Sequence, residues 1–369
     1  MPNLGESRAL VQAANTVSLL LVGDTKVGKT DWAMRAAEQG YHVLYLDGDV
    51  AIQTLLDKSR GLSQEALARV SYLPIHDYVD DRGNYVPQMA KFFVEFTTQG
   101  IFTWNDTKSR VFDRRDYEVI HEEVNANTQE QVTTSPIVGG DEVWQIRPAS
   151  IGPDTVIIMD SWTNLVHSLQ QWKASDLGID ILEIEKMERD MYTGTAHKAT
   201  QFLHLLRTLR SHLIVIGHPR EYRKMSVPKG SSGAVAERDM KVEWTRMVPL
   251  STSNPHALTM GKNFSDIGWI DVTGAGTRFI DFRPNDNRII GGHSQERFNV
   301  ADFPFSKLVE QVGGLVPDPK VSGDPKWLTR YGPGEFVPAG AKPATALSNQ
   351  DPKLAVKSGG LASLMNRNK

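Results

Sequence analysis

Gly23-Asp24-Thr25-Lys26-Val27-Gly28-Lys29-Thr30 has the spacing G-x-x-x-x-G-K-T and directly follows the apolar run Val17-Ser18-Leu19-Leu20-Leu21-Val22. That spacing suits a polyphosphate. Glycines at two fixed points let the backbone curl, because they accept angles that a side chain forbids. The curl turns amides inward onto an anion, and a helix starting at its end adds partial positive charge. In a phosphate-binding loop of this kind Lys29 reaches the β- and γ-phosphates, and the Thr30 hydroxyl ligates Mg²⁺. Asp160 closes a second apolar run, Val156-Ile157-Ile158-Met159, and there it can orient the ion through water.

Such chemistry needs a strand before the loop and a helix after it. The pattern predicts a helix over residues 30–39, with Trp32, Ala33, Ala36 and Ala37 for packing and Gly40 as its stop. Tyr41-His42-Val43-Leu44-Tyr45-Leu46 then predicts a strand that ends in the acidic Asp47-Gly48-Asp49. Strand, helix, strand is the βαβ unit of a parallel sheet. Residues 154–160 and 213–217 read as two more buried strands. Between residues 191 and 212, Phe202, Leu205, Leu206 and Leu209 fall at i, i+3, i+4 and i+7 of a helix. The fold class expected is α/β, with a mostly parallel, doubly wound sheet and its ligand at the C-terminal strand ends.

Two regions depart from that core. After a helix holding Val86, Met89, Phe92, Phe93 and Phe96, residues of about 100–148 turn polar and β-like. There, Ile101-Phe102-Thr103-Trp104 and Arg110-Val111-Phe112 flank the turn-prone Asn105-Asp106, as in a hairpin insertion. From residue 313 the chain is rich in proline and glycine, which predicts a disordered tail. Its end carries Leu354, Val356, Leu361, Leu364 and Met365 beside Lys353, Lys357, Arg367 and Lys369, a candidate docking segment over residues 353–369. The expected organisation is an N-terminal extension (1–16), a core (17–312) with the β-rich insertion, and a flexible tail (313–369).

The chain has 369 residues, 40% hydrophobic and 23% charged, with a net charge of −3 and no cysteine. This excludes disulfides and thiolate metal sites, and it confines any nucleic-acid site to a local basic patch. No apolar run approaches the roughly 18 residues of a membrane span. The first residues also lack the basic and apolar regions of a signal peptide, so a cytoplasmic protein is expected.

Val156-Ile157-Ile158-Met159-Asp160-Ser161, together with the 23–30 loop, resembles the nucleotide motifs of RecA-type ATPases. The resemblance extends to phage-encoded RecA-like nucleotide-binding proteins of single-strand annealing and recombination. It spans roughly residues 17–300, without the insertion, and it implies ATP with Mg²⁺ as cofactors. Leu44-Tyr45-Leu46-Asp47-Gly48-Asp49 is similar to the segment whose acid activates the attacking water, here Asp49, where relatives have the longer glutamate. Ser211-His212-Leu213-Ile214-Val215-Ile216-Gly217-His218 resembles the strand ending in the γ-phosphate sensor, with His218 where glutamine is usual. The resemblance thus implies Lys29, Asp49, Asp160 and His218 as catalytic residues.

The basic segment after His218 stands in the place of the family's second DNA-binding loop. Arg220, Arg223, Lys224 and Lys229 would neutralise phosphates there, and Tyr222 would stack on a base. Gln171-Trp172-Lys173 is a weaker candidate for the first such loop, and packing at the core's edge is the favoured reading of it. Arg278, Arg283 and Arg288 lie where ring- and filament-forming relatives carry residues that reach a neighbour's ATP. The function implied is ATP hydrolysis coupled to single-stranded DNA, with self-association. A regulatory or assembly ATPase with a protein partner and a RecA-type helicase are the alternatives. The helicase is disfavoured by a core that begins near residue 17.

Overall fold

Continuous apolar runs become strands buried on both faces when helices cover the sheet from either side. The computed structural model describes residues 15–50, 61–80, 83–112, 123–124, 131–132, 140–178, 189–226, 240–251, 254–320 and 324–336. Its main elements begin with β1 (Ser18–Val22), α1 (Lys29–Met34), β2 (His42–Asp47) and β3 (Val70–Pro74). Then come α2 (Gln88–Thr98), β4 (Phe102–Asn105), β5 (Arg110–Val111) and β6 (Val143–Ile146). β7 (Thr155–Asp160), α3 (Trp162–Asp176), α4 (Arg189–Thr208) and β8 (His212–Gly217) follow. After them lie β9 (Pro219–Ser226), β10 (Lys241–Pro249), β11 (Asp266–Val272) and β12 (Arg278–Asp281). The last are β13 (Arg297–Asn299), α5 (Phe305–Gln311) and β14 (Leu328–Tyr331).

The central sheet runs β13-β12-β11-β1-β8-β7-β2-β3. Its strands from β11 to β3 are parallel, whereas β12 and β13 add antiparallel strands at one edge. Leu20, Val22, Leu44, Leu46, Ile157 and Met159 point to one face, where Phe92, Phe93, Trp162, Leu165 and Phe202 cover them. Leu19, Leu21, Val43, Tyr45 and Ile158 point to the other, against Trp32, Phe303, Phe305 and Leu308. The architecture is therefore doubly wound α/β. Trp32 anchors α1 by donating from Nε1 to the Phe303 carbonyl at 2.7 Å and stacking on the Phe303 ring.

Several elements differ from the sequence expectation. The helix after the loop is α-helical only to Met34, continues as a 3₁₀ turn over Arg35–Gln39, and stops at Gly40 with φ 95°. In α4 Ala199, Phe202, Leu203 and Leu206 are buried together with Thr195, while Leu205 is exposed. That helix turns its stripe toward α2, where Phe93 meets Phe202 with centroids 5.7 Å apart. Residues 171–173 lie within α3 rather than in a loop, and Trp172 packs against the core, as the alternative reading of that segment expected.

β4 and β5 form the expected hairpin, inside a four-stranded antiparallel sheet ordered β14-β6-β4-β5. Its edge strand β14 comes from the Pro/Gly-rich stretch expected to stay disordered. Trp327 explains the difference: it is buried, and its Nε1 donates to Thr155 Oγ1 at 3.0 Å. One large aromatic and a free strand edge outweigh local breaker residues here. Likewise residues 219–226, expected as a flexible basic loop, form β9, which pairs antiparallel with β10.

The chain divides into two units, Met1–Phe112 with Asp141–Gly332, and Asp113–Gly140 with Pro333–Lys369. All labelled elements belong to the first. In the second, Glu123–Val124 pairs antiparallel with Gln131–Val132. Residues 1–14 of the expected extension, Lys229 and the docking segment 353–369 lie outside the described residues. Among the described residues no helix is long and apolar enough to cross a membrane.

His212 ties β8 to the start of β1: its Nδ1 accepts from the Val17 amide at 3.0 Å, and its ring sits edge-on to Tyr41 and Phe305. Burial pushes its pKa down to about 4. The unfolded chain takes up this proton near pH 6.5 and the folded chain does not, so folding loses stability as pH falls between those values. The loss at its full extent is about 3 kcal/mol. In thermal melts, the gap between wild type and a non-titrating His212→Asn variant should narrow as pH falls from 7 toward 4. A gap that stays constant would contradict this account of His212.

Candidate functional site

Parallel register brings the ends of four strands to one edge of the sheet. Asp160 is level with Asp47 and Ile216, and Val22 is level with Gly217. The 23–30 loop leaves β1 at this edge and curls tightly, with φ 65° at Lys26 and 92° at Gly28. Gly23 has no room for a side chain. A β-carbon there would lie 2.5 Å from Ile270 Cγ2 and 2.7 Å from the Ile270 carbonyl oxygen.

Lys29 reaches back into the curl, where its Nζ donates to the carbonyls of Gly23 at 2.8 Å and Asp24 at 2.7 Å. Burial lowers its pKa, and the nearby Asp160 carboxylate opposes that shift most. The Thr30 hydroxyl donates to Asp160 Oδ2 at 2.6 Å, and the Tyr45 hydroxyl donates to the same oxygen at 3.1 Å. Asp160 is buried, which pushes its carboxyl up to about 6. The Thr30 hydroxyl works against that rise, while Asp49 and Asp47 add to it by repulsion.

The two acids after β2 have different surroundings. Asp47 is fully buried and braced, accepting from the Tyr72 hydroxyl at 2.9 Å and the Asp49 amide at 3.0 Å. Asp49 is partly exposed and accepts from Asn164 Nδ2, which also donates to the Gly48 carbonyl at 2.8 Å. His218 Nε2 faces Asp49 Oδ2 at 3.6 Å, an ion-pair separation rather than a hydrogen bond. His218 is nonetheless the main group holding the Asp49 carboxyl below its usual range; burial opposes it, and Asn164 and Ser161 assist. Asp49 opens on a cavity of 340 Å³ shared with His76, Asp77 and His167. The fold therefore brings Lys29, Thr30, Asp49, Asp160 and His218 together. Among the described residues, no cluster of three or more His, Cys, Asp or Glu could hold a metal alone.

The β9–β10 ribbon starts at Pro219, directly after His218. Strand alternation and register put Arg220, Tyr222 and Lys224 on one face with Arg246 and Trp244 of β10. Tyr222 meets Trp244 edge-on at 5.3 Å, and the Arg246 guanidinium lies over Trp244 at 5.2 Å. Arg223 points to the opposite face and pairs with Glu221, while Lys224 pairs with Glu243 at 2.7 Å.

Arg278, Arg283 and Arg288 part company in the structure. Arg283 pairs with Asp281 at 2.7 Å and is exposed. Arg288 pairs with Asp271 at 2.6 Å and lies over Trp269 at 4.9 Å. Arg278 turns onto the 23–30 loop of its own chain, pairing with Asp31 at 3.2 Å.

Sequence reasoning missed Tyr45, Asn164, Trp244 and Arg246. A polar residue three positions after Ser161, at a helix start, was the available signal for Asn164. For the ribbon it was the period-two series Val242, Trp244, Arg246, Val248. Nothing in the sequence distinguishes Tyr45 from an ordinary strand aromatic.

Sheet order and loop geometry define the class, a doubly wound α/β protein with a glycine-framed loop at the end of its central strand. No family model matches the chain, and no curated protein matches it. The crystal structure of the RadB recombinase is similar over 74% of this chain and 84% of its own, at 13% identity and a TM-score of 0.33.

Gly23→Ala should cost about 1–3 kcal/mol of stability, because the added carbon meets backbone as well as a side chain. Gly274→Ala, with nothing within 4 Å of the new carbon, should melt close to wild type. Equal melting temperatures for both variants in calorimetry would refute the close approach of Ile270 to the loop.

Proposed function

We propose that the chain is a RecA-like ATPase that binds Mg²⁺ and ATP at residues 23–30 and couples hydrolysis to single-stranded DNA. The observation that carries this reading is the meeting of Thr30 and the buried Asp160 at 2.6 Å, beside Lys29 in the curl of the loop. Loop amides of residues 24–30 cradle the phosphates, and Lys29 exchanges the Gly23 and Asp24 carbonyls for phosphate oxygens. A hydroxyl and a carboxylate are hard oxygen donors of the kind Mg²⁺ takes while keeping phosphate and water ligands. Thr30 would hold it directly and Asp160 through water, and the ion supplies neutralisation of charge on the β- and γ-phosphate oxygens.

Asp49 is the group that accepts a proton from the attacking water. It is partly exposed, ionised by its surroundings, and steered by Asn164. His218 stands between Asp49 and the ribbon, so it can report the γ-phosphate to β9. DNA lies along the ribbon face that carries Arg220, Tyr222, Lys224, Trp244 and Arg246, with bases stacked on the rings and phosphates on the cations. This face replaces the flexible loop of the sequence expectation, and Arg223 leaves the set.

Lys29→Ala should abolish hydrolysis while the fold persists. Asp49→Asn should keep ATP binding and lose turnover by about 100-fold or more. A steady-state assay in which Asp49→Asn turns over like wild type would remove Asp49 from the chemistry.

For the ribbon, Trp244→Ala should weaken single-stranded DNA binding by about 1–3 kcal/mol. Neutralising Arg220, Lys224 and Arg246 together should flatten the salt dependence, which falls by about 0.7 per lost phosphate contact. Fluorescence anisotropy at several salt concentrations reads both effects. An unchanged slope would move the DNA site elsewhere.

A further inference from the structure

β12 lies two strands from β1 on the side away from Asp160 and Asp49, whose strands β7 and β2 stand on the other side. From β12, Arg278 reaches the loop. A β-carbon on Gly28 would lie 2.1 Å from Arg278 Nη1 and 3.4 Å from its Cδ, so the guanidinium rests on the Gly28 backbone. Any residue but glycine there would push it away. Nη1 also pairs with Asp31 Oδ2 at 3.2 Å, and the Arg278 side chain is about one-third exposed.

We propose that Arg278 is a nucleotide-binding residue of its own chain, which releases Asp31 to take the α-phosphate of a bound nucleoside di- or triphosphate. The inference rests on the reading of residues 23–30 as a nucleotide site. With the acids and Lys29 at the γ end, the phosphate chain leads away from them toward Gly28, Asp31 and Arg278. Arginine suits the task because its planar fork offers several N–H donors to phosphate oxygens. The exchange leaves no stranded charge: Asp31 also pairs with Arg35 at 3.2 Å, so its carboxylate keeps a cation when Arg278 departs. Contact with its own loop separates Arg278 from Arg283 and Arg288, which pair with Asp281 and Asp271 instead.

The test is titration of the full-length chain with ADP and with ATP, both with Mg²⁺, for wild type, Arg278→Ala, Arg278→Lys, Asp31→Asn and Lys29→Ala. Arg278→Ala should weaken ADP and ATP by the same factor, about 10- to 100-fold, because the α-phosphate is common to both. Arg278→Lys should recover part of that loss, and Asp31→Asn should bind more tightly than wild type by removing the competitor. A loss confined to ATP would place Arg278 at the γ-phosphate and overturn the proposal. So would unchanged ADP affinity with a lower melting temperature, the mark of a purely structural ion pair. A third contrary result is unchanged ADP affinity with turnover restored by adding Lys29→Ala chains, which would make Arg278 act on a neighbour. Wild type that binds neither nucleotide defeats the nucleotide site itself. Wild-type binding that is lost in Lys29→Ala and intact in Arg278→Ala defeats only the role of Arg278.

Discussion

The Thr30 hydroxyl and the Asp160 carboxylate hold together the ends of two strands that are not neighbours. β8 lies between β1 and β7, so no backbone ladder joins Thr30 to Asp160. Their 2.6 Å bond does so instead, with Tyr45 of β2 donating to the same oxygen. A carboxylate this buried requires such donors, since an unsatisfied one costs more than its bond would return. Asp160 is thereby a structural knot, and in the proposed reading it is also the carboxylate that would serve the metal. The crowding also sets its electrostatics: burial and two neighbouring aspartates raise its pKa, and a cation arriving at the loop would relieve that pressure.

The charges around the loop have a direction. Carboxylates gather on the β7 and β2 side, Lys29 sits in the curl, and Arg278 stands across from them on β12. An elongated polyanion with a metal at one end matches that gradient better than a compact anion does. Asp49 belongs to the acid side but differs from its neighbours. Asn164 at the start of α3 donates to it and His218, just after β8, faces it at 3.6 Å, so two elements set its surroundings. His218 adds reach, because the next residue begins the ribbon. In this account the site and the ribbon are coupled through one side chain rather than through the body of the sheet.

The fold was legible in the sequence where burial on both faces left long apolar runs. β1, β2, β7 and β8 could each be read from such a run, and the 23–30 loop from its glycine and lysine spacing. What could not be read depends on tertiary partners. Trp327 looks like one aromatic in a breaker-rich stretch until Thr155 and β6 are there to receive it. The basic residues after His218 read as a loop, because charged strands lack the apolar period and the pairing strand β10 lies beyond an intervening segment. The three arginines looked equivalent as residues of one segment; only the sheet order separates Arg278 from the others. Asp49 and His218, taken from a resemblance, come within 3.6 Å of each other, a proximity that spacing along the chain does not encode.

In the proposed reading Thr30 and Asp160 form the metal-holding half of a nucleotide site. Calorimetric titration of ATP into the full-length chain, with Mg²⁺ and with a chelator, tests it directly in wild type and Asp160→Asn. Mg²⁺ should tighten ATP binding to wild type by about tenfold or more, and most of that gain should vanish in the variant while metal-free binding persists. An equal Mg²⁺ gain in wild type and variant would contradict it.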